Sequence, residues 1–152
     1  LNLQDGHGGT ALVDAAGFGN ERVVELMLER GAEVNLQASN GGTALTFAAQ
    51  YGHERVVEQL LRHGAEINLQ NSNGGTALMV AAHHGHERVV ELLLQHGAEI
   101  NLQDSGGYTA LMLAAFFNRP AVVRRLLRAG ADAAPTFDGK TALQLAKEKG
   151  HA

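Results

Sequence analysis

The eight histidines of this 152-residue chain are the residues best suited to chemistry. His83, His84 and His86 lie close enough along the sequence to hold a transition metal through their imidazole nitrogens. However, His86 recurs as His53 in the same Gly-His-Glu-Arg-Val-Val context, and no carboxylate or thiol stands at ligand spacing beside His84. We therefore predict no metal site and no cofactor.

A catalytic dyad could be imagined from Asp14 with either His7 or His53. No serine stands in the context of a nucleophile, and no glycine-rich loop typical of phosphate binding accompanies the dyad. The Gly-Gly pairs at 8–9, 41–42 and 74–75 recur at a constant spacing, which indicates turns and not a phosphate site. The sequence predicts a protein that is not an enzyme.

Composition restricts the classes of protein further. Hydrophobic residues make up 45% of the chain and aromatic residues only 5%, so any core must be aliphatic. There are no cysteines, which is compatible with a reducing compartment. No apolar run approaches the roughly 18 residues that a membrane span needs. We expect a cytoplasmic location and no membrane partner, and Leu1 favours a piece of a longer chain.

The charges are distributed unevenly. The net charge is −4, but residues 1–100 hold 5 Lys/Arg and 12 Asp/Glu, whereas residues 101–152 hold 7 and 4. A uniform basic surface of the kind that binds nucleic acid is absent, so we expect no nucleic-acid partner. The asymmetry has two interpretations, a solvated polar surface or a partner with complementary polarity along its length.

The chain also repeats itself. Thr-Ala-Leu begins at residues 10, 43, 76, 109 and 141, so the spacing is 33, 33, 33 and 32 residues. Asn-Leu-Gln, Val-Val and Gly-Ala recur with the same period. A period held this strictly indicates a stacked array in which each unit contacts its neighbours. The leucine of Thr-Ala-Leu is present in all five units, which predicts that Leu78 is buried.

Each unit predicts two helices. Thr43 can cap a short helix from Ala44 to Gln50 or Tyr51, which the permissive Gly52 ends. A second helix follows from Glu54 to about His63, with apolar residues at helical spacing. Polar, glycine-rich segments between units are typical of hairpin-like turns. In the fourth unit, Asn118 takes the glycine position, and Pro120 starts the second helix, where proline is tolerated.

Three segments carry a resemblance to a known family. They are Gly-Gly-Thr-Ala-Leu-Met-Val-Ala-Ala at 74–82, Gly-His-Glu-Arg-Val-Val-Glu-Leu-Leu-Leu at 85–94 and Gly-Ala-Glu-Ile-Asn at 97–101. Together they resemble the ankyrin repeat, over essentially the whole chain. Alanine replaces the usual proline after each threonine, and Met79 stands where the family often has histidine. The resemblance implies an all-α ankyrin-repeat solenoid, in which helix-turn-helix units are joined by β-hairpin-like turns.

The period sets the unit boundaries. We expect one domain over 1–152, with units at about 2–34, 35–67, 68–100 and 101–132 and a partial unit at 133–152. The end units depart from the inner pattern. Asp14 stands where the inner units have Phe47, Val80 and Leu113, and a polar residue suits a unit without a neighbour on one side.

Differences between units indicate where recognition takes place. Units 35–67 and 68–100 differ at only seven positions: Ala38/Asn71, Thr46/Met79, Phe47/Val80, Gln50/His83, Tyr51/His84, Gln59/Leu92 and Arg62/Gln95. Positions 46, 47, 50 and 51 share one face of the first helix at about 100° per residue. The resemblance implies that this face and the turn tips line the concave groove that usually binds partners.

One set of equivalent positions on this face is mostly aromatic, and we call it the aromatic row: Phe18, Tyr51, His84 and Phe117. Beside it lie Gly17, Gln50, His83 and Phe116, and the turn tips add His7, Asn40, Asn73 and Tyr108. The row has two interpretations, packing between units or anchors for a partner, since exposed aromatic rings are frequent hot spots. The predicted partner-binding residues are Phe18, Thr46, Gln50, Tyr51, Met79, His83, His84, Tyr108, Met112, Phe116 and Phe117.

Two other groups of residues have a structural and a functional interpretation. The four arginines of the fourth unit, Arg119, Arg124, Arg125 and Arg128, form a solvated helix face or meet acidic groups of a partner or a further unit. Asn35, Asn68 and Asn101 match a turn asparagine that is hydroxylated in some family members. We favour a structural role in the turn for these asparagines.

The sequence thus predicts a module that binds a protein partner through its concave groove and turn tips. A near-constant framework with concentrated differences is also typical of an engineered or selected binder. The alternative function is a structural or self-associating array. We expect a monomer, with the incomplete last unit as the route to any self-association.

Overall fold

The computed structural model of the chain describes residues 2–6 and 8–151. Within these ranges the chain forms nine α-helices and no strand. In chain order they are α1 (Ala11–Gly17), α2 (Glu21–Glu29), α3 (Ala44–Tyr51), α4 (Glu54–Arg62), α5 (Ala77–His84), α6 (Glu87–Gln95), α7 (Ala110–Phe116), α8 (Pro120–Arg128) and α9 (Ala142–Glu148). Helix pairs stack in order, which confirms the all-α repeat solenoid predicted from the period.

The first helix of each unit starts at its threonine. The side-chain oxygen of Thr43 accepts a hydrogen bond of 3.3 Å from the backbone N–H of Thr46, and the equivalent threonines of the other four units do the same. This bond satisfies one of the N–H groups that a helix start leaves without a partner. The first helix ends where Gly52 adopts a φ of 75°. The predicted role of Asn118 is confirmed by its φ of 54°.

The two helices of a unit bury different residue types. The first helices bury alanine pairs such as Ala48 and Ala49, whereas the second helices bury valine and leucine such as Val56 and Leu60. Small side chains let helix axes approach more closely than branched ones. The first helices therefore contact one another more extensively than the second helices do.

The leucine of Thr-Ala-Leu is buried in four units but not in the fifth. Leu78 is 1% exposed, and its counterparts in the first, second and fourth units are buried as well. Leu143 on α9 is 65% exposed, because no second helix packs over it in the described part of the chain. The predicted burial of Leu78 is thus confirmed, and Leu143 differs from its counterparts.

Each junction between units carries a hydrogen bond from a side chain to a backbone carbonyl of the preceding unit. His53 Nε2 lies 2.9 Å from the carbonyl oxygen of Gly17, and His86 Nε2 lies 2.9 Å from that of Gln50. Arg119 takes this place at the next junction and donates from Nε to the carbonyl of His83 at 2.9 Å. The recurring Gly-His pair thus has a structural role.

The turns are linked in the same manner. The Gln37 side-chain amide donates to the carbonyl of Gln70, and the Gln70 amide donates to that of Gln103. The side-chain oxygen of Asn35 accepts from the backbone N–H of Glu66 at 2.8 Å, and Asn68 and Asn101 do the same in their units. These bonds support the structural role of the turn asparagines. No helix in the described ranges is long and apolar enough to cross a membrane.

Candidate binding surface

The predicted binding residues divide into exposed and buried sets. Phe18 is 80% exposed and Tyr51 is 55% exposed, and His84 and Phe117 are also exposed. Gln50, His83, Tyr108 and Phe116 are partly buried. The aromatic row therefore lies at the surface along its whole length, at the ends of the first helices.

Three predicted positions are buried instead. Thr46, Met79 and Met112 are enclosed in the core, so the expectation that they face a partner is wrong. Their helices have a first helix on either side and a second helix behind them. More than half of the helix circumference is therefore covered, and the position three residues after the capping threonine falls on the covered side.

An apolar groove lies between the first and second units, and we call it the N-terminal groove. Its volume is about 920 Å³. A Cβ atom on Gly17 would lie 4.0 Å from the Tyr51 ring and 3.8 Å from the Phe47 Cβ, so both residues of α3 lie over this glycine. The full lining is Asp5, Gly9, Val13, Asp14, Gly17, Phe18, Ala38, Ser39, Asn40, Phe47, Tyr51 and His53.

The aromatic residues at the other end of the array pack against each other. The Phe117 ring stacks on the His83 ring of the preceding unit, with centroids 3.8 Å apart and planes 18° apart. Tyr108 stacks on Phe137 at 4.0 Å, and Phe116 meets Tyr108 edge-on at 6.4 Å. We call these five residues the C-terminal aromatic cluster. Here the packing interpretation of the aromatic row is supported, unlike at Phe18.

Sequence reasoning missed Phe137. It stands where the three inner units have serine, at Ser39, Ser72 and Ser105. Alignment of the units with one another shows this replacement of a turn serine by an aromatic residue, and it could have identified Phe137. Phe137 and Lys149 both belong to the last unit. Phe137 stacks on Tyr108, and the Lys149 Nζ lies 4.6 Å from the centre of the Phe116 ring, so both residues join the last unit to the fourth.

The histidines between these two regions are packed rings. His83 stacks on His84 with centroids 4.6 Å apart, and His84 stacks on His86 at 6.0 Å. Burial lowers the pKa of His83, and the charge of Arg119 lowers it further. Burial also lowers the pKa of His84, with added repulsion from His83, His86 and Arg119. Neutral imidazoles are therefore favoured.

Because His86 is bonded to a carbonyl and His83 is stacked on Phe117, the three rings do not converge on a common point. Among the described residues, no group of three or more His, Cys, Asp or Glu side chains is placed to hold a metal ion.

The turn tips continue the surface. Asn40 and Asn73 are exposed, and the Asn40 side-chain oxygen accepts from the backbone N–H of Gly42. Tyr108 is partly buried because it stacks on Phe137. His7 lies outside the described residues.

Three of the arginines of the fourth unit lie on its second helix, α8, and Arg119 lies at the junction with the third unit. Arg125 on α8 pairs with Glu87 at 3.1 Å and with Glu91 at 3.0 Å, both on α6. Arg124 and Arg128 are exposed. The acidic partner of Arg125 is thus the neighbouring unit of the same chain.

Comparison with known families agrees with this geometry. A family model described as ankyrin repeats (3 copies) matches residues 1–71 and again residues 59–136. None of the curated proteins compared with the chain gives a match. The matched segments extend over α1 to α8, and they include four of the five capping threonines, the alanine pairs and the junction residues His53 and His86 described above. With most of its length matched and its helix pairs stacked in order, the chain belongs to the ankyrin-repeat family.

Proposed function

We propose that the chain binds another protein through its concave side, with Phe18 and Tyr51 as the principal anchors. Ankyrin repeats generally act as protein–protein interaction modules. The observation that carries the proposal for this chain is the N-terminal groove, in which these two large rings are mostly exposed beside apolar walls. A grouped set of exposed apolar residues is typical of an interaction site.

The exposure of Phe18 and Tyr51 supports this assignment in energetic terms. Folding gains little from a ring that stays in water, so the intramolecular packing that explains Phe117 does not explain Phe18. A partner that covers both rings gains the apolar area they bury, with only two side-chain torsions to fix in each. Such aromatic anchors dominate the energy of many interfaces.

The proposed surface continues from the N-terminal groove along the first helices. Its further members are the exposed or partly exposed predicted residues Gln50, His83, His84, Tyr108, Phe116 and Phe117. A standard interface uses about 20–30 residues on each side. This side of the array is long enough to supply them when the turn tips are included.

Affinity capture tests the proposal. We expect Phe18→Ala with Tyr51→Ala to leave the melting temperature nearly unchanged, because both rings are exposed. Proteins that the unchanged chain retains from a cell extract should be lost, since removal of a hot-spot ring costs about 2 kcal/mol or more of binding energy. Quantitative mass spectrometry of the retained proteins and a thermal melt of each chain provide the two readings.

Phe117→Ala is the matched comparison. Its ring packs on His83, so we expect this substitution to lower the melting temperature more than the double variant does. Retention of the same proteins by the unchanged chain and by the folded double variant would contradict the proposal.

Self-association is the second candidate function, and Leu143 is the observation that favours it. This leucine on α9 is exposed at a position that the other units bury, and Leu127 on α8 is exposed on the same end of the array. A second copy could cover these two side chains.

A further inference from the structure

The N-terminal groove combines apolar rings with carboxylates. Asp14 lies on α1, one helical turn before Phe18, which is the C-cap of this helix, and both residues line the groove. A Cβ atom on Gly9 would lie 3.7 Å from Asp14 Oδ1 and 3.4 Å from Asp5 Oδ1, so both carboxylates border the same point of the wall. Asp5 accepts a hydrogen bond from the backbone N–H of Gly9. The Asp14 carboxylate makes no hydrogen bond or ion pair with another residue of the described ranges.

The charge of Asp14 is not balanced by cations of the same surface. In residues 1–100 the only Lys or Arg residues are Arg22, Arg30, Arg55, Arg62 and Arg88. All five lie on the second helices α2, α4 and α6 or at the end of α2. The turns and first helices of the first three units therefore carry no Lys or Arg, and the lining of the groove contains the carboxylates of Asp5 and Asp14 but no Lys or Arg.

This arrangement selects one kind of occupant. An apolar side chain gains by covering Phe18, Phe47 and Tyr51, but a purely apolar segment would leave Asp14 desolvated without a partner. A lysine or arginine beside the apolar side chain satisfies Asp14, and its aliphatic stem extends the apolar contact. A volume of about 920 Å³ accommodates a few side chains, within the range of roughly 300–1,000 Å³ usual for ligand sites.

We propose that the N-terminal groove binds a segment of a partner protein in which a large apolar residue lies next to a lysine or arginine. The apolar side chain sits on Phe18 and Tyr51, and the cationic group pairs with Asp14. This inference rests on the proposed function, because it takes the groove as the place where the partner binds.

Selection from a phage library of random peptides tests the inference on the intact chain. We expect selected peptides to be enriched in Lys or Arg within a few positions of Leu, Phe or Trp. A fluorescently labelled copy of the best peptide is then titrated by fluorescence polarisation. Asp14→Asn should weaken its binding by about tenfold, the effect of losing a well-placed ion pair. Added salt should weaken binding to the unchanged chain but much less to the Asn variant.

Two controls separate charge from folding. Glu29→Gln removes one negative charge from the same unit, but Glu29 is an exposed residue of α2 that does not line the groove, so binding should be unchanged. Asp14→Lys should reverse the selection and enrich Asp or Glu instead. Both variants are compared with the unchanged chain by thermal melting.

The outcomes distinguish this inference from the proposed function. Peptides that depend on Phe18 and Tyr51 but show neither basic enrichment nor sensitivity to Asp14→Asn would overturn the inference and leave the proposed function standing. Failure to select any peptide that depends on these rings would overturn the inference, and the affinity capture would then decide the proposed function separately.

Discussion

At the residue scale, the surroundings of a side chain decide its contribution, even where the sequence repeats. Leu78 and Leu143 occupy equivalent positions, yet one is 1% and the other 65% exposed. Leu78 lies on α5, which contacts α3, α6 and α7, whereas no second helix follows α9 in the part of the chain that the structure describes. The pair therefore offers a comparison in which only burial differs.

We expect Leu78→Ala to lower the free energy of unfolding by about 2–5 kcal/mol, the usual cost of deleting a buried leucine side chain. Leu143→Ala should change it by about 0.5 kcal/mol or less, as at most surface sites. Chemical denaturation of both variants measures the two free energies. Equal losses would show that Leu143 is covered in solution.

The stacked histidines predict a dependence of stability on pH. His83 and His84 have pKa values below the ordinary 6.5, so the folded chain takes up their protons at a lower pH than the unfolded chain. Above about pH 6.5 both states are neutral here and the pair has no effect. As the pH falls from about 6.5 through the lowered pKa values of the folded state, the unfolded state binds more protons, so the free energy of unfolding decreases. Below those pKa values both states are protonated, and the free energy of unfolding decreases no further on account of this pair.

The substitutions His83→Gln and His84→Tyr test this prediction, because they copy Gln50 and Tyr51 of the second unit. We expect the melting temperature of the variant to fall less between about pH 7.5 and about pH 5 than that of the unchanged chain. Asp104 lines the same surface pocket as His83 and His84. It is unaltered in the variant, and its carboxylate accepts a hydrogen bond from the backbone N–H of Tyr108. Parallel pH profiles for the two chains would refute the assignment to this pair.

At the scale of the helix, the glycine that follows the first helix in each of the first three units also contacts a side chain of the next unit. Gly52 has a φ of 75°, and a Cβ there would lie 2.6 Å from His86 Nδ1. Gly64, at the end of the second helix, has a φ of 84°, and a Cβ added to it would have no neighbouring atom within 4 Å. The two glycines thus share a backbone conformation but differ in what lies beside them.

We expect Gly64→Ala to cost about 1–2 kcal/mol, because alanine is strained in the left-handed region. Gly52→Ala should cost roughly 1 kcal/mol more, since the His86 ring must move and its bond to the Gln50 carbonyl is lost. Urea denaturation of the two variants measures the difference. A smaller loss at Gly52 would mean that the His86 hydrogen bond contributes nothing to the junction.

The helices themselves can be predicted from the sequence, because their signals are local. The apolar spacing predicts the second helix of the second unit over Glu54 to about His63, and this helix ends at Arg62. Capping threonines and terminating glycines act within a few residues, so one sequence is enough to place them.

The binding surface can be predicted only in part, because exposure depends on neighbouring units. An amphipathic helix that packs on one side only buries about half of its circumference. On such a helix Thr46 and Tyr51 would lie on the same exposed face. In the array, α3 is flanked by α1 and α5 and backed by α4, so Thr46 is buried while Tyr51 is not. The internal alignment identifies where residues differ, but differences at a buried position reflect packing.

At the scale of the whole molecule, the ends of the array differ from its middle. Val23 on α2 is exposed although its counterparts in the next three units are fully buried, and Leu127 and Leu143 are exposed at the other end. The apolar area offered by so few side chains falls well short of a stable interface, which buries about 1,200 Å² or more in total.

We therefore expect the chain to be a monomer at micromolar concentration. Size-exclusion chromatography with light scattering should give the mass of one chain, and Leu127→Ser with Leu143→Ser should not change it. A dimer that these two substitutions dissociate would instead establish self-association through the α8–α9 end.

The junction hydrogen bonds also bear on how such a chain can change in length. A copy of residues 35–67 inserted directly after Ile67 would place a second His53 beside the Gln50 carbonyl, where His86 now stands, and would offer its own Gln50 carbonyl to His86. The junction hydrogen bonds at the two new boundaries have the same form as those that already exist in the chain, whereas Gln50 would meet Phe47 and Tyr51 of the copy in the place of Gly17. In-frame duplication of a whole unit therefore retains the junction hydrogen bonds, so recombination can lengthen the gene without losing them.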